Sequence, residues 1–338
     1  MTATEEHSRG RPGTLAFPGD GRPLLSDLRR IWTAGDDDPL RRIAAYALLP
    51  AGKLLRPLLV LESAKSVGGS PDDLGELALA VEYLHVATLI HDDIIDEDDI
   101  RRGRPAVHAA FGTPDAIVTG DGLLLQAFAA LTRVSPAGVT DTALRSAVAV
   151  LADAGIDLCR GQLREAELTG DLHCSTEQYL TMARLKTGVL FEASCRIGAI
   201  LGGGPPAWVD ALGTFGVHLG VAFQIRDDLL GFDDNAELVG KPNESDVANR
   251  RPTLPMLLAY QSAGADDRDL LERAFRGELS GVRAFPEVRR IVEETGARAA
   301  AEWHAADLID RAKRALAPLP GNGAVLTAIA DYARERGH

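Results

Sequence analysis

From about Leu24 onward, apolar residues recur at three- and four-residue spacing in long runs, and alternating stretches of β-branched residues between turns are hard to find. That period marks one face of an α-helix, so the pattern predicts an all-α protein. Glycine and proline punctuate it at Gly68-Gly69-Ser70-Pro71, Gly112-Thr113-Pro114, Ser135-Pro136-Ala137-Gly138, Gly170 to Ser175, Gly202 to Pro206, Pro242-Asn243 and Pro318 to Gly323. Most segments between these breaks run to roughly 20 to 30 residues, which suits a bundle of long helices around a central cavity. No fixed-period repeat or low-complexity linker divides the chain, so residues 24–338 read as one all-helical domain. Residues 1–23 carry Gly, Pro and Glu but no apolar stretch, and are expected to be a poorly ordered segment with neither signal peptide nor membrane anchor.

Composition leaves this picture intact: 338 residues, 46% hydrophobic and 25% charged, are enough for a large buried core. The formal charge of −13 argues against nucleic acid or an anionic membrane surface as partner. An anionic substrate must therefore be held by local cations. Cys159, Cys174 and Cys195 are odd in number and lack paired spacing, which argues against a disulfide framework or zinc site and for a reducing cytoplasm.

Chemistry enters with two aspartate clusters on strongly apolar stretches, Asp92-Asp93-Ile94-Ile95-Asp96 and Asp227-Asp228-Leu229-Leu230-Gly231. Carboxylates beside so much apolar surface are costly unless neutralised, and a magnesium-bound diphosphate would do that. Asp92 and Asp96 stand at i and i+4, which puts their carboxylates on one helix face roughly 5–6 Å apart. An isolated cluster of this kind is more often a solvated acidic helix end, but the apolar approach from Val81 to Ile90 weighs against that. Arg101 and Arg102 follow, expected one to two turns beyond the carboxylates, and their planar forks suit phosphate oxygens. In Gly52-Lys53-Leu54-Leu55-Arg56-Pro57 the lysine and arginine would neighbour each other on a helix and could hold a second diphosphate without metal.

These pieces, together with His85 through Asp96, Lys186-Thr187-Gly188, and Phe223-Gln224-Ile225-Arg226-Asp227-Asp228 leading to Gly240-Lys241-Pro242, resemble the trans-isoprenyl diphosphate synthases, or polyprenyl synthetase family, in order and spacing over residues 45–260. The resemblance implies the class I isoprenoid synthase fold and Mg²⁺-dependent head-to-tail condensation of isopentenyl diphosphate with an allylic diphosphate (dimethylallyl, geranyl or farnesyl). It implies Asp92, Asp96 and Asp227 as direct magnesium ligands, Asp93 and Asp228 as supporting ones, and three ions with substrate bound. By the same resemblance Arg101, Lys186 and Lys241 would hold the allylic diphosphate, and Gly52, Lys53, Arg56, His85 and Arg102 the isopentenyl diphosphate. Gln224 and Thr187 would face the reacting carbons, and the protein would be a cytoplasmic homodimer without a transmembrane segment.

The chain departs from the family in two places. Gly231 stands where the second motif normally ends in a third aspartate, with Asp233 and Asp234 just downstream; and after Gly161-Gln162 the expected acidic residue is displaced to Glu165 or Glu167. One turn before Asp92 lie Ala87 and Thr88, where an aromatic in the family closes the pocket at short products. Small residues there favour a product of twenty carbons or more, with the floor set deeper by Leu84, Val81 or Phe128. Two rivals stand beside this reading: a class I terpene cyclase, which needs no second diphosphate site, and a non-catalytic subunit of a heteromeric synthase.

Overall fold

The computed structural model describes residue 19 and residues 21–33, 38–133, 136–232 and 245–335. The chain opens with α1 (Arg22–Thr33), α2 (Pro39–Leu48) and α3 (Leu55–Ser66), followed by α4 (Gly75–Ile95), which ends at the first aspartate cluster. A short antiparallel hairpin, β1 (Ile100–Arg101) and β2 (Arg104–Pro105), leads to α5 (Val107–Phe111), α6 (Thr113–Arg133) and α7 (Asp141–Leu168). Next come α8 (Thr176–Ala183), a π-helical turn at Arg184–Gly188, α9 (Val189–Leu201) and α10 (Pro206–Leu230), which ends at the second cluster. The C-terminal part holds α11 (Ser245–Ala248), α12 (Leu254–Ser262), α13 (Ala265–Phe275), α14 (Gly281–Glu294), α15 (Ala297–Ala315), a 3₁₀ turn at Pro320–Gly323 and α16 (Ala324–Glu335).

The glycine and proline breaks fall where the pattern puts them. Gly112 separates α5 from α6, Ser175 caps α8 with a reciprocal bond to Gln178, and Pro206 opens α10 at a position where the missing N–H costs nothing. The predicted break at Pro242-Asn243, together with Asp233, Asp234 and Lys241, lies outside the described residues.

Two central helices, α4 and α10, are apolar almost all round and buried along most of their length. α4 packs along α6, while α10 packs between α9 and α15, and α9 also meets α3 and α7. One large core fills the space among them, and two smaller ones lie under α12 to α15. The bundle therefore carries both aspartate clusters to the C-terminal ends of its most buried helices.

Two local expectations are corrected. Lys53 is not on a helix with Arg56: Leu54 takes a left-handed backbone (φ 51°), so α3 starts only at Leu55. Nor do Arg101 and Arg102 continue α4. Glu97 turns the chain with φ 56°, and Arg102 (φ 52°) and Gly103 (φ 74°) form a two-residue turn of the mirror-image type that matches the twist of a hairpin.

The π-helical turn depends on a close approach from α7. A Cβ at Gly161 would lie 2.6 Å from the backbone nitrogen of Lys186, so only hydrogen fits there. Alanine gains about 1 kcal/mol in helix propensity but overpacking costs about 1–3 kcal/mol, and a backbone neighbour yields less than a side chain. Gly161→Ala is accordingly expected to lose about 1–2 kcal/mol in urea unfolding; an unchanged midpoint would show that α7 and the turn separate freely.

Candidate active site

Each aspartate cluster stands at a helix C-terminus, where the peptide dipoles add negative potential to that of the carboxylates. Counter-charge is thus demanded twice over, and the structure supplies it from three elements. Asp93 is buried and accepts a 2.8 Å bond from Arg101 Nε, with a second bond from Nη2. Asp96 pairs with Arg251 at 2.5 Å, and Arg251 reaches on to Glu165 of α7 (3.9 Å) and Asp246 of α11 (3.7 Å). Lys186, on the π-helical turn, is bonded to the same Glu165. Asp92 lies among these charges: burial pushes its carboxyl up, Lys186 and Arg101 pull it down, and Asp96 and Glu165 push it up further.

From α10 comes a second chain of contacts. Thr187 Oγ1 donates to Gln224 Oε1 at 2.5 Å, Gln224 Nε2 donates to Asp228 Oδ1 at 2.9 Å, and Tyr179 donates to Asp228 Oδ2 at 2.6 Å. Burial pushes Asp228 up to about 7, Asp246 adds to the rise, and the bonds from Tyr179 and Gln224 oppose it. Glu165, Tyr179, Lys186, Gln224, Asp228, Asp246 and Arg251 line one cavity of about 110 Å³. Since Arg251 is bonded to Asp96, this cavity joins the ends of α4 and α10.

Beside it lies a basic pocket. Arg56 is buried with its guanidinium 4.8 Å above the Phe191 ring, and burial brings it down to about 10. A Cβ on Gly52 would stand 3.2 Å from Arg102 Nη2, so a bare backbone faces that guanidinium. His85 is pushed well below its ordinary value by burial and by Arg56, Arg102 and Arg101, which keeps the imidazole neutral. Lys53 is turned toward the C-terminal helix, where it bonds the Tyr332 hydroxyl and sits 4.9 Å from the ring centre. Asp227 acts electrostatically on Arg56, linking this pocket to the second cluster.

Toward the N-terminus of α4, Ala87, Leu84 and Val81 are buried in the core, and Thr88 spends its hydroxyl on the His85 carbonyl at 2.8 Å. Phe128 of α6 is partly buried against the same core.

Among the described residues, no three ligating side chains stand together at metal-binding spacing. The donor set still fits magnesium: it is all carboxylate oxygen, its charges raise one another, and Mg²⁺ binds commonly through one or two carboxylates plus substrate phosphate rather than in a protein cage. In the ligand-free chain Asp96 is paired with Arg251 and Asp93 with Arg101.

Sequence reading missed Arg251, Asp246, Tyr179 and Glu82. Arg250-Arg251-Pro252 repeats the arginine–proline step of Arg56-Pro57 and was available as a signal. Glu82 stands one turn before His85, on the same face of α4. Tyr179 had none, because only the tertiary fold brings it to Asp228.

Asp228 yields a pH prediction. A folded-state value near 7, above an unfolded one of about 3.9, means that folding retains a proton. The ligand-free protein should lose stability through this group as pH rises from about 4 to 7. Asp228→Asn should remove that slope, raising Tm by a few degrees at pH 8 and little at pH 4; an equal shift at both pH values would contradict the assignment.

Comparison with known proteins sets this arrangement in context. The family model for polyprenyl synthetase matches residues 37–292. A short chain isoprenyl diphosphate synthase of Methanothermobacter thermautotrophicus is 37% identical over 303 residues, covering 89% of this chain and 91% of the relative. A geranylfarnesyl diphosphate synthase of Aeropyrum pernix is 33% identical, with 88% and 95% covered. The crystal structure of a polyprenyl synthase from Caulobacter crescentus CB15, complexed with calcium and isoprenyl diphosphate, matches with a TM-score of 0.85 at 32% identity, over 94% of this chain and 96% of that one. The helix bundle is the class I isoprenoid synthase fold, and the chain belongs to the polyprenyl synthetase family of trans-isoprenyl diphosphate synthases.

Proposed function

We propose that the chain condenses isopentenyl diphosphate head-to-tail (1′-4) with an allylic diphosphate and releases an all-trans polyprenyl diphosphate of twenty carbons or more. The observation that supports this reading most is the cavity at the end of α10, tied to the end of α4 through the Arg251–Asp96 pair, with a separate basic pocket of Arg56, Arg102 and His85 next to it. A cyclase would have no use for that second pocket.

In the reaction, the allylic carbon–oxygen bond breaks to leave diphosphate and an allylic cation. The C=C of isopentenyl diphosphate attacks that carbon, and a proton is lost to the released diphosphate. Magnesium supplies positive charge to the departing diphosphate, and Asp92, Asp96 and Asp227 would hold it, with three ions once substrate is bound. Lys186, Arg101 and Lys241 take up the remaining charge on the leaving group, an electrostatic task worth several kcal/mol. Arg251 joins them, since it already faces the same carboxylates. Asp93 and Asp228 act as supports, aligning Arg101 and Gln224 through the bonds they accept. Thr187 and Gln224, bonded to each other, face the reacting carbons. Gly52, Lys53, Arg56, His85 and Arg102 hold the extender diphosphate, with neutral His85 free to donate one hydrogen bond.

The protein works as a homodimer in a reducing cytoplasm. Support for the dimer comes from the exposed large apolar side chains of α6 (Ile117, Val118, Leu125) and α7 (Ile156, Leu163), which a second copy would cover. Its three cysteines are free, which suits that compartment, and no described helix is long and apolar enough to cross a membrane.

Incubation of the purified chain with Mg²⁺, labelled isopentenyl diphosphate and dimethylallyl, geranyl or farnesyl diphosphate tests the activity. Chain-extended diphosphate is expected, and hydrocarbon or alcohol formed from the allylic substrate alone would overturn the proposal. Asp92→Ala should lower kcat by about 10³-fold or more, a loss on the scale of removing a main electrostatic stabiliser; an unchanged rate at saturating Mg²⁺ would remove Asp92 from its role. Ala87→Phe should shorten the product by at least one five-carbon unit on chromatography, and an unaltered length distribution would mean that the growing chain runs elsewhere.

A further inference from the structure

Two residues one turn apart on α7 reach the same lysine. Gly161 lets the π-helical turn approach so closely that a Cβ would stand 2.6 Å from the Lys186 backbone nitrogen, and Glu165, at i+4 on the same face, accepts a bond from the Lys186 ammonium. Main chain and side chain of Lys186 are thus both fixed by α7. Turns of this kind are rare and gather at functional sites, and this one brings Lys186 to the cavity wall and Thr187 to its bond with Gln224.

Glu165 also meets a second cation. Its Oε2 takes the bond from Lys186 Nζ, while its Oε1 lies 3.9 Å from Arg251 Nε. The side chain is only 12% exposed and lines the cavity together with both partners. Each nitrogen of the Arg251 guanidinium faces a different carboxylate: Nε faces Glu165, Nη2 faces Asp96 at 2.5 Å and Nη1 faces Asp246 at 3.7 Å. On the proposed function Asp96 passes to metal, which frees Nη2 for a phosphate oxygen, whereas Nε, set back toward the chain, keeps Glu165. A carboxylate in a cavity that takes an anion repels that anion, so its place there calls for a geometric reason. Lys186 and Arg251 supply one: like charges from elements remote in sequence separate unless a counter-charge stands between them.

We infer that Glu165 is a positioning residue for the allylic diphosphate, a shared carboxylate that holds the Lys186 ammonium and the Arg251 guanidinium at one spacing so that both close on the same leaving group. The inference rests on the proposed function, because it assigns a diphosphate to this cavity. The cost of ordering two long side chains is met in the free protein rather than on binding. Glu165 makes no contact with the reacting carbons and takes no proton in the reaction.

Steady-state kinetics of Glu165→Gln, which keeps shape and removes charge, tests this together with competition by inorganic diphosphate in the presence of Mg²⁺. The inhibition constant of inorganic diphosphate against the allylic substrate and the KM for that substrate are both expected to rise about tenfold, and kcat to fall by a similar factor, while the KM for isopentenyl diphosphate stays within about twofold. Glu165→Asp, which keeps the charge but withdraws it by one methylene, is expected in between, with both allylic-site constants raised about threefold. An inhibition constant unchanged or lowered in either variant overturns the inference, because a carboxylate that merely competes with phosphate for the two cations would leave tighter binding when removed. An equal rise in the KM for isopentenyl diphosphate overturns it as well. Should Glu165→Gln fail to fold, Glu165→Asp carries the test alone. Absence of any condensation by the wild-type protein would instead sink the proposed function, so the two failures are told apart by the unmutated control.

Discussion

Negative charge buried at the C-terminal ends of two apolar helices is the constraint from which the rest of the structure follows. The dipoles of α4 and α10 point their negative poles at carboxylates that are themselves partly dehydrated, and neither arrangement is stable without cations close by. Arg101, Lys186 and Arg251 fill that need in the ligand-free chain, each drawn from a different element. The same cations are the natural partners of a diphosphate. On the proposed function, substrate and metal would exchange into an existing set of ion pairs, anionic phosphate taking over the basic side chains while divalent cations take over the aspartates. Such an exchange keeps the site close to neutral at every stage, which matters because an unpaired charge costs far more than a swapped one. It also reconciles a net charge of −13 with an anionic substrate, since the outer field is negative but every cation that counts is local.

Much of the fold was legible from periodicity. Apolar spacing gave the long helices, and Gly112, Ser175 and Pro206 marked boundaries that the structure keeps, because caps and breakers act through local backbone chemistry. What periodicity could not give were the places where tertiary contact overrides local preference. Lys53 leaves the helix because Leu54 is held in a left-handed conformation, which no propensity favours for leucine. The hairpin after Glu97 is too short to show an alternating pattern, and the π-helical turn at Arg184–Gly188 rests on contact with Gly161 of another helix.

The site divides along the same line. Of the residues carried by compact motifs, Lys186, Gln224 and Asp228 line one cavity and Asp96 is bonded to Arg251, which lines it, while Arg101 is bonded to Asp93 beside Asp92. Arg251 and Tyr179 reached it unannounced. Each contributes through a partner remote in sequence, Asp96 or Asp228, so neither forms a pattern of its own along the chain. Glu165 was in view but displaced from the expected position; in space it is the carboxylate shared by Lys186 and Arg251.

Arg101 ends the first strand and is bonded to Asp93, whereas Arg102 (φ 52°) opens the turn and faces Gly52, so one backbone step separates two guanidiniums with different neighbours. The distance between the two guanidiniums is thereby tied to a single backbone step. On the proposed function, one residue more or fewer in this turn would displace one guanidinium against the other, so hairpin length would act as a covalent ruler for the spacing between electrophile and nucleophile.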